Sequence, residues 1–471
     1  MTDRIVQIKR LRDRNDFATH VQSLGIATSL PIGDRAMLAR PIEVHGHSLA
    51  NRFAVLPMEG WDGTTDGRST DLVRRRWERF GASGAALIWG GEAVAVRPDG
   101  RANPRQLCIG PESLADLTEL RAITLDASHG EPPMIGLQLT HSGRWARPTG
   151  AFEPRIVFRH PFLDDRVGVT DDSVLTDTEL DDLVGDFVRA SVVARDAGFD
   201  FVDVKHCHGY LLHELLAGFA RPGRYGGSLS NRLRFFDEVV AGIRRDAPEL
   251  HIGMRLSAFD LAPHVAGDDG RGVPIADDYP FAFGGDGSGV GIDLSETHEL
   301  ADHLVAAGVE LLCVTAGSPY YCPHAQRPAY FPPSDGYLPP RDPLHEVARL
   351  FDVARDLASV HPQLRIVATG ASYLQEWLPD ISAGLVDGGV AMIGYGRGVL
   401  SYPELPRDVV TGVDVARERL CRTFSDCTTA PRNSLVSGCY PLDDFYKQMP
   451  ERRALTAAKR AAEQARGGRR S

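Results

Sequence analysis

The chain has 471 residues, 43% apolar and 24% charged, with 52 Lys and Arg against 63 Asp and Glu for a net charge of −11. These proportions are those of a globular protein with a sizeable core, and the negative balance argues against nucleic acid, whose phosphates are met by basic surfaces. No apolar run approaches the roughly 18 residues of a membrane span. The N-terminal MTDRIVQIKRLRDRND has no signal-type stretch, and seven sparse cysteines suit a reducing compartment, so a cytoplasmic protein is expected.

Residues 1–40 form an N-terminal lead. From about residue 50 one rhythm repeats: a short β-rich apolar run, a polar or Gly turn, then a longer amphipathic stretch. The apolar runs are FAVLP from Phe53, AALIWGG from Ala85, MIGLQL from Met134, FVDVKHC from Phe201, HIGMRLS from His251, LLCVTAG from Leu311, RIVATG from Arg365 and VAMIGYG from Val390. Eight βα units close a (β/α)8 barrel over residues 41–410. The rival, an open doubly wound sheet, would carry a Gly fingerprint in its first βα turn, and none is there.

The helices carry their own punctuation. In TDTELDDLVGDFVRASVVARDAG, Thr176 or Thr178 caps the start and Gly198 ends the helix, with Leu183, Phe187, Ala190 and Val193 on one face. SETHELADHLVAAG repeats the device, with Ser295 as cap and Gly308 as terminator. Residues 262–292 read as a Gly/Asp/Pro-rich insertion after the fifth strand, in which GGDGSGVG is a flexible loop. Residues 411–471 form a tail without assigned function, whose basic KRAAEQARGGRRS reads as a solvated end.

In a parallel barrel the site lies at the C-terminal strand ends. The fourth strand runs into KHCHGYLL, which gathers Lys205, His206, Cys207, His208 and Tyr210. His206, His208 and His213 also fit a bland reading as core or surface histidines. A metal site would need a further ligand at a recognisable spacing, and none is supplied, so no metal is expected.

The KHCHGYLL segment resembles the old yellow enzyme family of flavin oxidoreductases, and YGGSLSNR from Tyr225 is similar to that family's YGGSLENR. NRFAVLPME, LIWGGEA, LQLTHSGR, GMRLS, VATGAS and IGYGRGVLSYPELP follow in family order over roughly residues 40–410. The resemblance implies an FMN-binding barrel fed by NADH or NADPH. Pro57, Met58 and Ala93 would line the flavin ring, and Gln138 and Arg255 would serve its N1/O2 edge, where negative charge develops. Gly370, Ala371, Gly396 and Arg397, after the seventh and eighth strands, would take the phosphate.

By the same resemblance Tyr210 is the proton donor to an electron-poor alkene, and His208 and Lys205 hold its carbonyl. Three features depart from the pattern. Lys205 stands where the family commonly has His, leaving three options: an acidic substrate, an ion pair with Asp203, or transfer of the role to His206. Glu59 occupies a position usually held by Thr, Cys or Ala, where it either points away or retunes the flavin. The loop from Tyr210 to Tyr225 is shortened.

After the sixth strand, CPHAQRP brings Tyr320, Tyr321 and His324 toward the rim as a lid, an aromatic wall or a plain loop. Larger relatives carry a C-terminal Fe–S cluster on four cysteines. Here Cys427 and Cys439 keep the family spacing, Cys421 is displaced and the second cysteine is absent, so a remnant without cluster is expected, with no room for a further domain. The leading expectation is an NAD(P)H-driven ene reductase. The alternatives are a flavin dehydrogenase for an amine or saturated carbonyl compound, and a barrel that keeps FMN as a structural or sensing ligand.

Overall fold

In the computed structural model, which describes residues 5–467, all eight apolar runs are strands of one closed sheet. In chain order the strands are β1 (Ile42–Val44), β2 (His47–Leu49), β3 (Phe53–Val55), β4 (Leu87–Ile88), β5 (Ala93–Ala95), β6 (Met134–Thr140) and β7 (Phe201–Val204). Then follow β8 (His251–Ser257), β9 (His264–Ala266), β10 (Gly272–Pro274), β11 (Leu311–Thr315), β12 (Arg365–Ala368) and β13 (Met392–Tyr395). The parallel order β4-β3-β13-β12-β11-β8-β7-β6 is closed by pairing of β4 with β6, making a (β/α)8 barrel. Its strands are buried on both faces, which is why they read as nearly continuous apolar runs.

The run expected from Ala85 forms a strand only at β4, and β5 follows just beyond its end. β4 pairs through Leu87 with Met134, and β5 pairs with the same β6 through Ala93 opposite Gln138. Gly90 sits at the break with φ +151, where an added Cβ would lie 2.8 Å from the Gln138 backbone nitrogen, so only glycine fits. The break brings Ala93 and Gln138 side by side at the top of the barrel.

The interior holds Leu87, Trp89, Met134, Phe201, Leu311 and Val367 as one cluster, with Trp89 edge-on to Phe201 at 5.5 Å. The β1/β2 hairpin closes the lower end. His45 stacks on His251 at 4.1 Å and its N–H donates to Glu310 at 2.6 Å, while Arg365 donates to the Glu43 carbonyl at 2.9 Å.

Helix Asp177–Asp196 starts at Thr176 with a reciprocal capping box to Glu179 and ends before Gly198 at φ +86. Helix Ser295–Ala306 stops before Gly308 as expected, but Ser295 is its first helical residue rather than its cap, and the Ser295 N–H is met by Asp293 at 2.9 Å. The insertion contains the antiparallel β9/β10 hairpin. Its glycine-rich stretch is tied to the chain around it: Ala262 N–H donates to the Gly289 carbonyl at 2.8 Å and Tyr279 N–H to that of Gly287 at 2.7 Å.

The lead and the tail are both packed on the barrel. Helix Arg14–Ser23 in the lead, capped by Asp13, stacks Phe17 on Trp377 at 4.8 Å, and Arg14 and Arg35 pair with Asp380. The tail supplies helices Asp426–Arg432, Asp444–Lys447 and Glu451–Gly467, with a small core of Ala430, Tyr440, Tyr446 and Leu455. Lys459, in the basic run, pairs with Asp426 at 2.5 Å; residues 468–471 of that run lie outside the described residues. Among the described residues no helix is long and apolar enough to cross a membrane.

Phe201→Ala would empty the centre of the interior cluster. Loss of a buried phenyl ring costs about 3–5 kcal/mol, so the midpoint of urea unfolding should fall accordingly; an unchanged midpoint would show that the interior is not packed around this ring.

Candidate active site

A cavity of about 260 Å³ opens at the C-terminal ends of the strands. Pro57, Met58, Ala93, Gln138, Lys205, His208, Tyr210, Arg255, Gly370, Gly396 and Arg397 all line it. Ala371 does not: it is buried as the first residue of the helical turn Ala371–Trp377, and Thr369 and Ser372 face the cavity instead.

Beneath the cavity lies a buried anion. Asp203, fully enclosed on β7, accepts from Trp89 Nε1 at 2.7 Å, Gln138 Nε2 at 2.6 Å and the Arg255 backbone N–H at 2.7 Å. Burial raises its carboxyl above the ordinary range, and these donors oppose that rise. They leave one Gln138 N–H for a ligand, and Arg255 Nε, buried at the cavity wall, makes no hydrogen bond.

Period two along β7 decides which side chains reach the cavity. Phe201, Asp203 and Lys205 fall on one face in ascending order, whereas His206 turns to the other. His206 Nδ1 bonds the Val204 carbonyl at 2.8 Å and its ring meets Phe236 at 5.6 Å, so burial lowers it to about 4 away from the site. Lys205 therefore faces the cavity and His206 does not. His213 is likewise a core residue, receiving Gly209 N–H on Nδ1 at 2.9 Å.

The carboxylate partner of Lys205 is Glu59, not Asp203. Lys205 Nζ lies 3.7 Å from Glu59 Oε2 and 3.7 Å from the centroid of the Tyr210 ring. Tyr210 Oη is 2.5 Å from Glu59 Oε2 and 3.1 Å from Tyr320 Oη, and Tyr320 stacks on Trp145 at 4.4 Å. Glu59 thus points into the site. Tyr320 forms an aromatic wall, while Tyr321 is buried against Asp260 and His324 binds Tyr337 beside a neighbouring hollow. His208, at φ +68, has its N–H held by Ser257 at 3.0 Å; burial, Arg255 and Lys205 keep its imidazole neutral.

The other side of the chemistry is cationic. Arg397 donates to Thr428 at 2.5 Å and Arg327 to Ser425 at 2.9 Å, but Arg327 Nε and Nη2 are buried without a hydrogen bond. Burial and the neighbouring Arg327 lower Arg397 to about 9. Two guanidinium groups beside the Gly370 and Gly396 backbones can hold an anion.

The profile of the NADH:flavin oxidoreductase / NADH oxidase family matches residues 37–267. An NADPH dehydrogenase of Bacillus velezensis is 32% identical over 257 residues, covering 52% of this chain and 68% of that protein. The chain belongs to this family. Among solved structures, the old yellow enzyme homologue of Zymomonas mobilis superposes with TM-score 0.56 at 20% identity, over 82% of this chain and 97% of that one. A 2-naphthoyl-CoA reductase solved with 2-naphthoyl-CoA gives TM-score 0.66 at 18% identity over 90% of this chain, which spans only 58% of the reductase's length. At these identities the likeness is one of fold, the family's eight-stranded barrel.

Several residues of this family member's cavity escaped sequence reasoning. Arg327 and Gln326 lie inside the quoted CPHAQRP, where a cation between prolines was the available signal. Thr428, Arg432, Ser437 and Gly438 come from the tail, and no local pattern announces that a tail folds back. Ser437 Oγ accepts the Trp61 N–H at 3.0 Å, and Cys427 lines the cavity. Burial, then Cys421 and Cys427, push the Cys439 thiol up, and among the described residues no group of three or more His, Cys, Asp or Glu is arranged to hold a metal ion.

Arg76, also on the cavity wall, is shared by two buried carboxylates. It bonds Asp62 and reaches Glu92 at 2.6 Å, and Glu92 accepts the Gly60 N–H at 2.7 Å. Burial, with Asp62 adding to it against Arg76, pushes Glu92 up to about 7. The fold keeps on Glu92 a proton that the unfolded chain releases above about 4.5. Its contribution to stability is therefore full below that pH and is lost as the pH rises toward 7, by at most about 1.4 kcal/mol per unit. Denaturation across this window should show the loss in wild type and a flatter profile in Glu92→Gln; identical slopes would overturn the assignment.

Proposed function

We propose that this chain binds FMN in the strand-end cavity and, driven by NADH or NADPH, reduces an activated C=C bond of a small organic substrate. The observation that carries the reading is a set of buried donors lining one cavity without protein acceptors: Arg255 Nε, and Nε and Nη2 of Arg327 beside Arg397. Such groups are costly unless a ligand meets them. FMN offers a match for both places. Its phosphate would be held by Arg397 and Arg327 with the backbone at Gly370 and Gly396, its N1/O2 edge by Arg255 and Gln138, and its ring by Pro57, Met58 and Ala93. When bound, FMN supplies the hydride that it takes from the nicotinamide.

The remaining work falls to side chains of this chain. A neutral His208 donates one N–H, and with the Lys205 ammonium it would hold the carbonyl oxygen on which enolate charge builds. Tyr210 would deliver the proton to the α-carbon. Burial and Glu59 hold its phenol well above the ordinary range, so the proton leaves only toward a strong carbon base formed in the reaction.

A second reading, oxidation of an amine, is favoured by one observation, the Glu59 carboxylate in the cavity wall, which would pair with an ammonium. Anaerobic mixing separates the two. Bleaching of the flavin by NADPH or NADH and reoxidation by an enone support reduction; bleaching by an amine without nicotinamide replaces it.

Arg397→Gln should weaken FMN binding about 10- to 100-fold, the worth of a charge-assisted hydrogen bond, in fluorescence titration of the apoprotein; unaltered affinity would place the phosphate elsewhere. Tyr210→Phe should slow the enone half-reaction by about 10²- to 10⁴-fold while bleaching by nicotinamide proceeds at the wild-type rate. Equal losses in both halves would remove Tyr210 from the proton-donor role.

A further inference from the structure

The reaction proposed above has no evident use for a carboxylate at the rim, yet Glu59 is directed into it. Its Oε2 contacts Tyr210 Oη at 2.5 Å and faces Lys205 Nζ at 3.7 Å, and Tyr320 Oη lies 3.1 Å from the same phenol oxygen. Tyr210 has a single proton, and the state of Glu59 decides where it points. An ionised carboxylate can only accept, so the phenol O–H is committed to Glu59 in a short charge-assisted bond. A protonated carboxyl can instead donate to the phenol oxygen, which releases the Tyr210 O–H toward the cavity.

We propose that Glu59 gates and refills Tyr210: in its neutral form it frees the phenol proton for the substrate and, in the same step, passes its own proton to the phenol oxygen. The inference rests on the ene-reduction reading. The enolate's electron pair forms the new C–H bond at the α-carbon as the Tyr210 O–H bond breaks. In the same transition state the Glu59 O–H bond breaks and a new Tyr210 O–H bond forms. The negative charge ends on Glu59, 3.7 Å from the Lys205 ammonium, and bulk water restores the proton between turnovers.

The surroundings suit a carboxyl that changes state. Burial raises Glu59 above the ordinary carboxylate range, while Lys205 and the Tyr210 hydrogen bond pull it back. Burial likewise lowers Lys205, with Glu59 opposing. The other charged groups on the cavity wall are cations: Arg76, paired with Asp62 and Glu92, and Arg147, Arg255, Arg327, Arg397 and Arg432. Glu59 is thus the one carboxylate among the described residues lining this cavity.

The test is a single turnover of the reduced holoenzyme with cyclohexenone, read as quenched formation of the protonated product, between about pH 5 and pH 9, in H2O, D2O and their mixtures. Wild type should lose rate about tenfold per pH unit above the Glu59 pKa and show a curved proton inventory, with two protons in flight. Glu59→Gln, whose amide always donates to the phenol, should lose the descending limb and give a linear inventory. A linear inventory in wild type, which needs no variant, overturns the proposal, as does an unchanged descending limb in Glu59→Gln. If cyclohexenone does not reoxidise wild type, the ene-reduction reading fails by itself, and infrared titration decides separately whether Glu59 holds the proton that the gate requires. A carboxylic acid band that disappears in Glu59→Gln and titrates above the ordinary carboxylate range supports it; absence of that band overturns it.

Discussion

A carboxylate enclosed in a barrel must have its oxygens met by donors, and Asp203 imposes that demand on the strands around it. Its donors come from the Trp89 side chain at the break between β4 and β5, from Gln138 on β6 and from the Arg255 backbone on β8. Three neighbouring stretches are thereby fixed in height relative to β7. The same face of β7 is graded along its length, with Phe201 in the apolar interior, Asp203 in the layer of donors and Lys205 in the cavity. The orientation of Gln138 and the register of Arg255, both facing the cavity, follow from one anion beneath them.

The cavity carries the opposite sign from the molecule. A chain with a net charge of −11 gathers Arg255, Arg327, Arg397 and Lys205 around one space. Burial and the neighbouring Arg327 make the charge of Arg397 costly, and among the described residues no carboxylate pairs with either guanidinium group. This is preorganisation in the electrostatic sense: repulsion already present in the folded chain is relieved when an anion arrives, so no side chain has to be gathered at that moment.

The barrel was legible because its signals are local. A strand buried on both faces is a short apolar run whatever lies far away in the sequence, and Thr176 with Glu179 forms a box within one turn. Strand-end residues were legible because the fold fixes where strand ends go. What failed to show were pairings across long separations. Lys205 has carboxylates at Asp203 and Glu59, and only the shared use of Asp203 by three donors excludes the nearer one. Ser295 and Asp293 compete for one helix start within three residues, and either fits the pattern. The tail's place over the cavity depends on bonds such as Trp61 to Ser437, which no periodicity encodes. Between Lys205 and His206 the alternation of a strand was the answer, although both stand past the last regular pair of β7.

The tail also sets an order of assembly. The sheet is complete when β13 is in place, since β13 joins β12 to β3 and the ring has no later member. The cavity is not: Thr428, Ser437 and Gly438 still have to fold back over Arg397 and Trp61. On a ribosome, where chains emerge N-terminus first, the barrel can close while its upper end is still open and its guanidinium groups are still wet. Seating of a ligand among them then becomes a late event, one that follows closure of the barrel instead of nucleating it.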